Sequence, residues 1–138
     1  MRVTLDTNIL ISALGWKGGP EYQIVLKCFQ RTLDMVLSPE ILAEFKQVAL
    51  RPKFDFVVED IEDFIRALIE VSDIILPEEK FSEITDDPKD NIILETAVAG
   101  HAHYIISGDK HLLSLRKFRN ICILRSSEFI ALLNNSSY

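Results

Sequence analysis

The chain has 138 residues, enough for one domain (1–138) with a substantial core. Its 48% hydrophobic and 26% charged content excludes a disordered or low-complexity chain. The net charge of −6 argues against a duplex-coating protein, which would show a basic excess, but is compatible with an enzyme that gathers acids in one pocket and bases at its rim. The longest stretch without Asp, Glu, Lys or Arg, residues 96–108, is too short for a bilayer. At the N-terminus Asp6 arrives before any signal-peptide core, so a cytoplasmic, non-membrane protein is expected. Cys28 and Cys122 lie far apart, with no metal or redox spacing, and read as small apolar side chains.

In chain order, Val3-Thr4-Leu5 predicts a first strand ending at Asp6. Thr7-Asn8 is expected to cap a helical segment over 9–14, Gly15 to Pro20 a turn, and 22–30 a helix. Met35-Val36-Leu37 reads as a second strand. Ser38-Pro39-Glu40 follows as a strong helix start, with a cap residue, a first-turn Pro and an acid near the positive end of the dipole. That helix is expected to stop near Leu50, before Pro52. Residues 60–71 carry Ile61, Phe64, Ile65, Leu68 and Ile69 on one helical face. Asp73-Ile74-Ile75-Leu76 reads as a third strand, and Asp87-Pro88 as the opening of a helix lasting to about Gly100. Tyr104-Ile105-Ile106-Ser107 reads as a fourth strand with Ser107-Gly108-Asp109 as its exit turn. A short helix over 110–115, a fifth strand over 121–124 and a last helix from Ser126 to about Leu133 complete the chain, with 134–138 a frayed tail.

Strands alternate with helices, and the strands are short continuous apolar runs, as when both faces are covered. The pattern predicts an α/β three-layer sandwich around a mainly parallel five-stranded sheet. Ligands bind such sheets at the carboxyl ends of the strands. Asp6 stands at the end of the first strand and Asp109 just beyond the fourth. Glu44 lies about 40° outside the apolar stripe Ile41, Leu42, Phe45, Val48 and Ala49 of its helix. Asp90 shares the inward stripe of Ile93, Leu94 and Ala97. Each acid also has an ordinary reading: Asp6 a helix cap, Glu44 a surface acid, Asp90 the partner of Asp87 in a capping box, Asp109 a turn residue. Taken together, four anions in one crevice would repel one another without a cation, and Mg²⁺ or Mn²⁺ suits an all-carboxylate set.

Asp6-Thr7-Asn8, mid-chain Glu44, the run Asp87-Pro88-Lys89-Asp90-Asn91 and Ser107-Gly108-Asp109 resemble the PIN-domain ribonucleases. The segments 92–100 and 104–110 are most similar to the prokaryotic subgroup of VapC-type toxins of toxin–antitoxin pairs. The resemblance covers nearly the whole chain. It implies a metal-dependent endoribonuclease leaving a 5′-phosphate and a 3′-hydroxyl. It also implies a catalytic and metal-binding quartet of Asp6, Glu44, Asp90 and Asp109, with Thr7, Asn8 and Ser107 as polar helpers. RNA as substrate, a small antitoxin partner and a homodimer are further implications. His111 departs from the subgroup, whose members often carry an acid there.

Candidate RNA contacts are Lys110, Arg116, Lys117 and Arg119 after Asp109, Arg51 and Lys53 after the Glu44 helix, and Trp16 with Lys17 in the early turn. The ordinary alternatives are solvated charges and, for Trp16, packing or a dimer contact. His101, His103 and His111 lack zinc-ligand spacing, and no Gly-x-Ser-x-Gly elbow exists. A phosphatase of the haloacid dehalogenase type would need an acid where Asn8 stands. A receiver domain would need a phosphoacceptor Asp after the third strand, where Leu76-Pro77-Glu78 stands. The remaining rival is a PIN fold that binds RNA or protein with weak or lost cleavage.

Overall fold

The computed structural model describes residues 1–84 and 87–135. Its elements are β1 (Arg2–Leu5), α1 (Thr7–Gly15), α2 (Pro20–Phe29), β2 (Asp34–Leu37), α3 (Pro39–Ala49), a 3-10 turn (Pro52–Phe54), α4 (Val58–Val71) and β3 (Ser72–Ile74). They continue as α5 (Asp90–Ala99), β4 (Tyr104–Ile106), α6 (Lys110–Leu115), β5 (Lys117–Phe118), β6 (Ile121–Leu124) and α7 (Ser126–Asn135).

The expected α/β architecture is present, with helices flanking one sheet of order β3-β2-β1-β4-β6-β5. The pairs β1–β2, β1–β4, β2–β3 and β4–β6 are parallel. The sheet has six strands rather than five, because the two-residue β5 pairs antiparallel with β6. Its loop, Arg119-Asn120, has φ of 46° and 68°. Two positive φ values make the tight turn whose twist suits a hairpin. Two residues are too few to show a period-2 pattern, which is why the sequence concealed this strand.

Other boundaries also move. The first turn of α1 starts at Thr7 rather than Ile9, because Asp6, not Thr7 or Asn8, is its cap. β3 is Ser72–Ile74 rather than 73–76, since α4 feeds straight into it and it pairs with Met35–Leu37 of β2. α5 begins at Asp90, after a turn in which Asp90 and Asn91 donate to the carbonyls of Asp87 and Pro88. α7 reaches Asn135, and the remainder of the expected frayed tail lies outside the described residues.

Val3, Thr4 and Leu5 of β1 and Ile105 and Ile106 of β4 are fully buried, so the central strands are covered on both faces. Phe45 of α3 and Phe129 of α7 are the largest fully buried side chains. Cys28 is buried in this core, and burial, reinforced by the charge of Asp34, pushes its thiol up to about 12. Cys122 is only half-buried. From β1 the chain crosses to β2 and β3 on one side and to β4 and β6 on the other. The carboxyl ends of β1 and β4 therefore form the topological switch point of the sheet, where a crevice opens.

Candidate functional site

Asp6 ends β1 at that switch point and is 5% exposed. Its backbone N–H still belongs to the sheet, donating to Ile106 O at 3.0 Å. Its side chain is fixed twice. Oδ1 accepts from the Thr7 backbone N–H at 2.7 Å, and Oδ2 accepts from the Ser107 hydroxyl at 2.6 Å. Ser107, fully buried, follows β4 and donates its backbone N–H to Leu124 O. Its hydroxyl oxygen also accepts the Asp109 N–H at 2.9 Å. One hydroxyl thus couples the ends of the two central strands.

Asp109 is the cap of α6, with Oδ1 accepting from His111 and Leu112 N–H at 2.8 and 3.2 Å. The ordinary and the functional readings of Asp6 and Asp109 are therefore compatible. Each spends an oxygen on capping a helix, which orients the rest of the carboxyl group. Glu44 is half-buried on α3, and its Oε2 accepts the Thr7 hydroxyl at 3.1 Å. Asn8 is exposed.

Asp90 behaves differently. It is the first residue of α5 and 8% exposed, and among the described residues its Oδ2 has no hydrogen-bond partner. The expected capping box is not formed. Asp87 Oδ1 instead accepts Lys89 N–H at 3.2 Å in a local turn. A buried carboxylate oxygen without a donor is costly in an ordinary core. Here it stands among other acids.

Burial and neighbouring charge act on two of these acids. The carboxyl of Asp6 is raised from the usual 3.8 to about 6, first by burial, with the hydrogen bonds from Ser107 and Thr7 opposing and the charges of Glu44 and Asp109 adding. Asp90 is raised to about 8, first by burial, then by the charges of Asp109, Asp6 and Asp87. Asp6 thus feels the charges of Glu44 and Asp109, and Asp90 those of Asp109, Asp6 and Asp87. Among the described residues, however, no three His, Cys, Asp or Glu side chains stand close enough to form a ready metal cage. The donor set is all oxygen, and the orphaned Asp90 Oδ2 lacks the positive partner that a hard cation would supply.

Two residues that sequence reasoning passed over support Asp90. Asn91 is buried, and its amide holds Ile84 at both ends: Oδ1 accepts Ile84 N–H at 3.0 Å and Nδ2 donates to Ile84 O at 2.8 Å. Glu95, also buried, accepts Phe81 N–H at 2.9 Å and lies 3.7 Å from Lys80 Nζ. Together they bind the segment before α5 to the helix that carries Asp90. The signal was available: α5 buries Asp90, Asn91, Glu95 and Thr96 along with its apolar residues, far more polar groups than packing alone requires.

The candidate RNA contacts separate. Lys110, next to Asp109, and Arg116, at the opposite end of α6, are exposed and line a cleft with Arg125. Lys117 is exposed on β5. Arg119 lies over the Phe81 ring at 4.5 Å and pairs with Glu79. Trp16 is 59% exposed and Lys17 exposed, but both follow the far end of α1, about 14 Å along the helix from Asp6. Arg51 and Lys53 follow the far end of α3, with Lys53 over the Phe54 ring. His103 Nδ1 accepts the Arg2 N–H at 2.9 Å, a backbone role. Among the described residues, no helix is long and apolar enough to cross a membrane.

Comparison with known proteins gives three findings. The PIN domain family profile matches residues 2–111. An uncharacterized protein of Methanocaldococcus jannaschii, MJ1680, is 34% identical over 119 residues, covering 84% of this chain and 76% of its own. The fold is similar to that of a chain in the crystal structure of VapBC2 from Rickettsia felis bound to a DNA fragment from their promoter. The TM-score is 0.57 at 16% identity, over 89% of this chain and 97% of that one.

Proposed function

The chain belongs to the PIN-domain family, and from that premise we propose that it is a Mg²⁺- or Mn²⁺-dependent endoribonuclease and the toxin of a toxin–antitoxin pair. The observation that carries the reading is the orphaned, buried Asp90 Oδ2 facing the charges of Asp6 and Asp109 at the switch point. Asp6, Asp90 and Asp109 would supply the oxygen donors once drawn together on the cation, since they do not stand as a ready cage, with Glu44 tied beside Asp6 through Thr7. When bound, such an ion lowers the pKa of a water and offsets charge on the scissile phosphate.

The chain's own residues supply order. Ser107 holds Asp6 and the Asp109 backbone in one arrangement, so the two strand ends cannot drift apart. Caps on α1 and α6 fix the directions of Asp6 and Asp109. Glu44, half-buried, would orient an attacking water. The toxin assignment is supported by the likeness to VapC-type toxins and by the fold shared with the VapBC2 complex. A small antitoxin protein, and a second copy of the chain, are the proposed partners.

The test is cleavage of single-stranded RNA by purified protein. Activity with Mg²⁺ or Mn²⁺ that stops on adding EDTA is expected. Equal cleavage with and without chelator, or no cleavage with either metal, overturns the reading. Expression of the chain with the short reading frame beside its gene tests the antitoxin by co-purification.

A further inference from the structure

We propose that the cleft between α6, β6 and the start of α7 is a track for the phosphate backbone of single-stranded RNA, gripped by Lys110, Arg116 and Arg125. The inference rests on the ribonuclease reading and extends it to residues beyond the acid cluster.

The cleft has a volume of about 630 Å³, within the range of small-ligand sites. Its lining carries three cations, Lys110, Arg116 and Arg125, against one acid, Glu128. On a chain of net charge −6, that local excess is a marked reversal. All three cations are exposed, and among the described residues none is in an ion pair. The other cations close by in sequence are differently placed. Arg119 is spent on Phe81, Phe118 and Glu79, and it lines a separate cavity with Met1 and His101.

Position ties the cleft to the acids. Lys110 follows Asp109 directly. At the other wall, Arg125 follows Leu124, whose carbonyl accepts the Ser107 N–H at 3.0 Å. Ser107 is the residue that holds Asp6. A strand lying in the cleft therefore leads to the carboxylate cluster.

Two absences in the lining select the ligand. None of the exposed large hydrophobic side chains lines the cleft, so it lacks the anchors on which protein interfaces depend. No aromatic side chain lines it either, so bases have no stacking platform there. Leu113, Cys122, Ile123 and Leu124, buried or half-buried, line its floor, and the exposed groups above them are mostly charged; charge reads phosphates and not sequence.

The experiment is fluorescence anisotropy with a labelled, mixed-sequence single-stranded RNA in EDTA, so that binding is read without cleavage. Lys110→Gln, Arg116→Gln, Arg125→Gln and the triple variant are compared with wild type. Arg66→Gln is the control, on α4, which packs on α2, α3 and β3. Melting curves verify folding. Each cleft variant is expected to bind more weakly, by a similar factor on unrelated RNA sequences. Each should also lower the slope of log affinity against log salt by about 0.7. Between about 50 and about 200 mM salt the wild type should then lose about 20-fold more affinity than the triple variant. The control should match wild type.

Wild type that binds no RNA, or cleft variants that bind as well as wild type with an unchanged salt slope, overturn the track. Binding of a polyglutamate peptide in preference to RNA overturns it in favour of an acidic protein partner. RNA binding that depends on the three cations upholds the track even where Mg²⁺ elicits no cleavage; that result overturns the nuclease reading alone.

Discussion

The Ser107 hydroxyl meets Asp6 Oδ2 at 2.6 Å across a separation of 101 residues, joining the ends of the two central strands. Replacing Ser107 with Ala strands two buried groups, Asp6 Oδ2 and the Asp109 N–H. We expect a loss of about 1–3 kcal/mol in stability. Cleavage should fall about 10- to 100-fold, the usual effect of losing an outer-shell partner. Since this hydrogen bond lowers the pKa of Asp6, its removal should also move the acidic limb of the pH–rate profile to higher pH. An unshifted profile would contradict the role.

Asp90 sets the pH dependence of the metal-free protein. Its folded pKa is raised to about 8 and that of Asp6 to about 6, both from 3.8. A raised carboxyl pKa means that the fold prefers the protonated form. The contribution is complete below about pH 4 and is lost as pH climbs through about 6 and then about 8. Melting temperature in EDTA should therefore fall between pH 5 and pH 8, after allowance for the rest of the chain. Asp90→Asn should flatten the upper part of that fall and melt higher than wild type at pH 8. A variant with the wild-type slope would show that Asp90 carries no such burden.

Magnesium should reverse the same penalty. At a hundredfold excess over its dissociation constant it should stabilise wild type by about 2.7 kcal/mol. Asp90→Asn should gain much less and cleave at least about two orders of magnitude more slowly. Paired melts with EDTA and Mg²⁺ read the first effect, and single-turnover assays the second.

Asn91 separates scaffolding from packing. Asn91→Ala removes both hydrogen bonds to Ile84 and should cost about 1–3 kcal/mol. Because the next residue back is Asp90, cleavage should fall more than stability at a temperature where the variant remains folded. Full specific activity in the folded variant would limit Asn91 to stability.

Thr4 offers a test away from the site. It is fully buried in β1, and among the described residues its hydroxyl has no partner. Thr4→Val keeps the shape and removes the stranded hydroxyl, so a gain of about 1 kcal/mol is expected. Denaturant unfolding measures it, and a loss of stability would mean that the hydroxyl is satisfied in solution.

The local chemistry of the chain was legible in its sequence. Apolar runs such as Val3-Thr4-Leu5 announced buried strands, Ser38-Pro39 announced α3, and Asp6 and Asp109 followed the two strands that meet at the switch point of the sheet. These signals are local because periodicity, capping and strand-end position act within a few residues. What remained hidden was decided by long-range partners. The two-residue β5 exists only because β6 is there to pair with it. The sequence left Asp90 equally open to capping and to catalysis. Tertiary packing set aside the capping box, since Asp87 turns to Lys89 and Asp90 Oδ2 is buried without a donor. Likewise Lys110, Arg116 and Arg125 are separated along the chain and share a cleft only once α6 folds against β6. Distance in space, unlike pattern along the chain, determines which charges feel one another, since Coulomb attraction and desolvation depend on separation and burial.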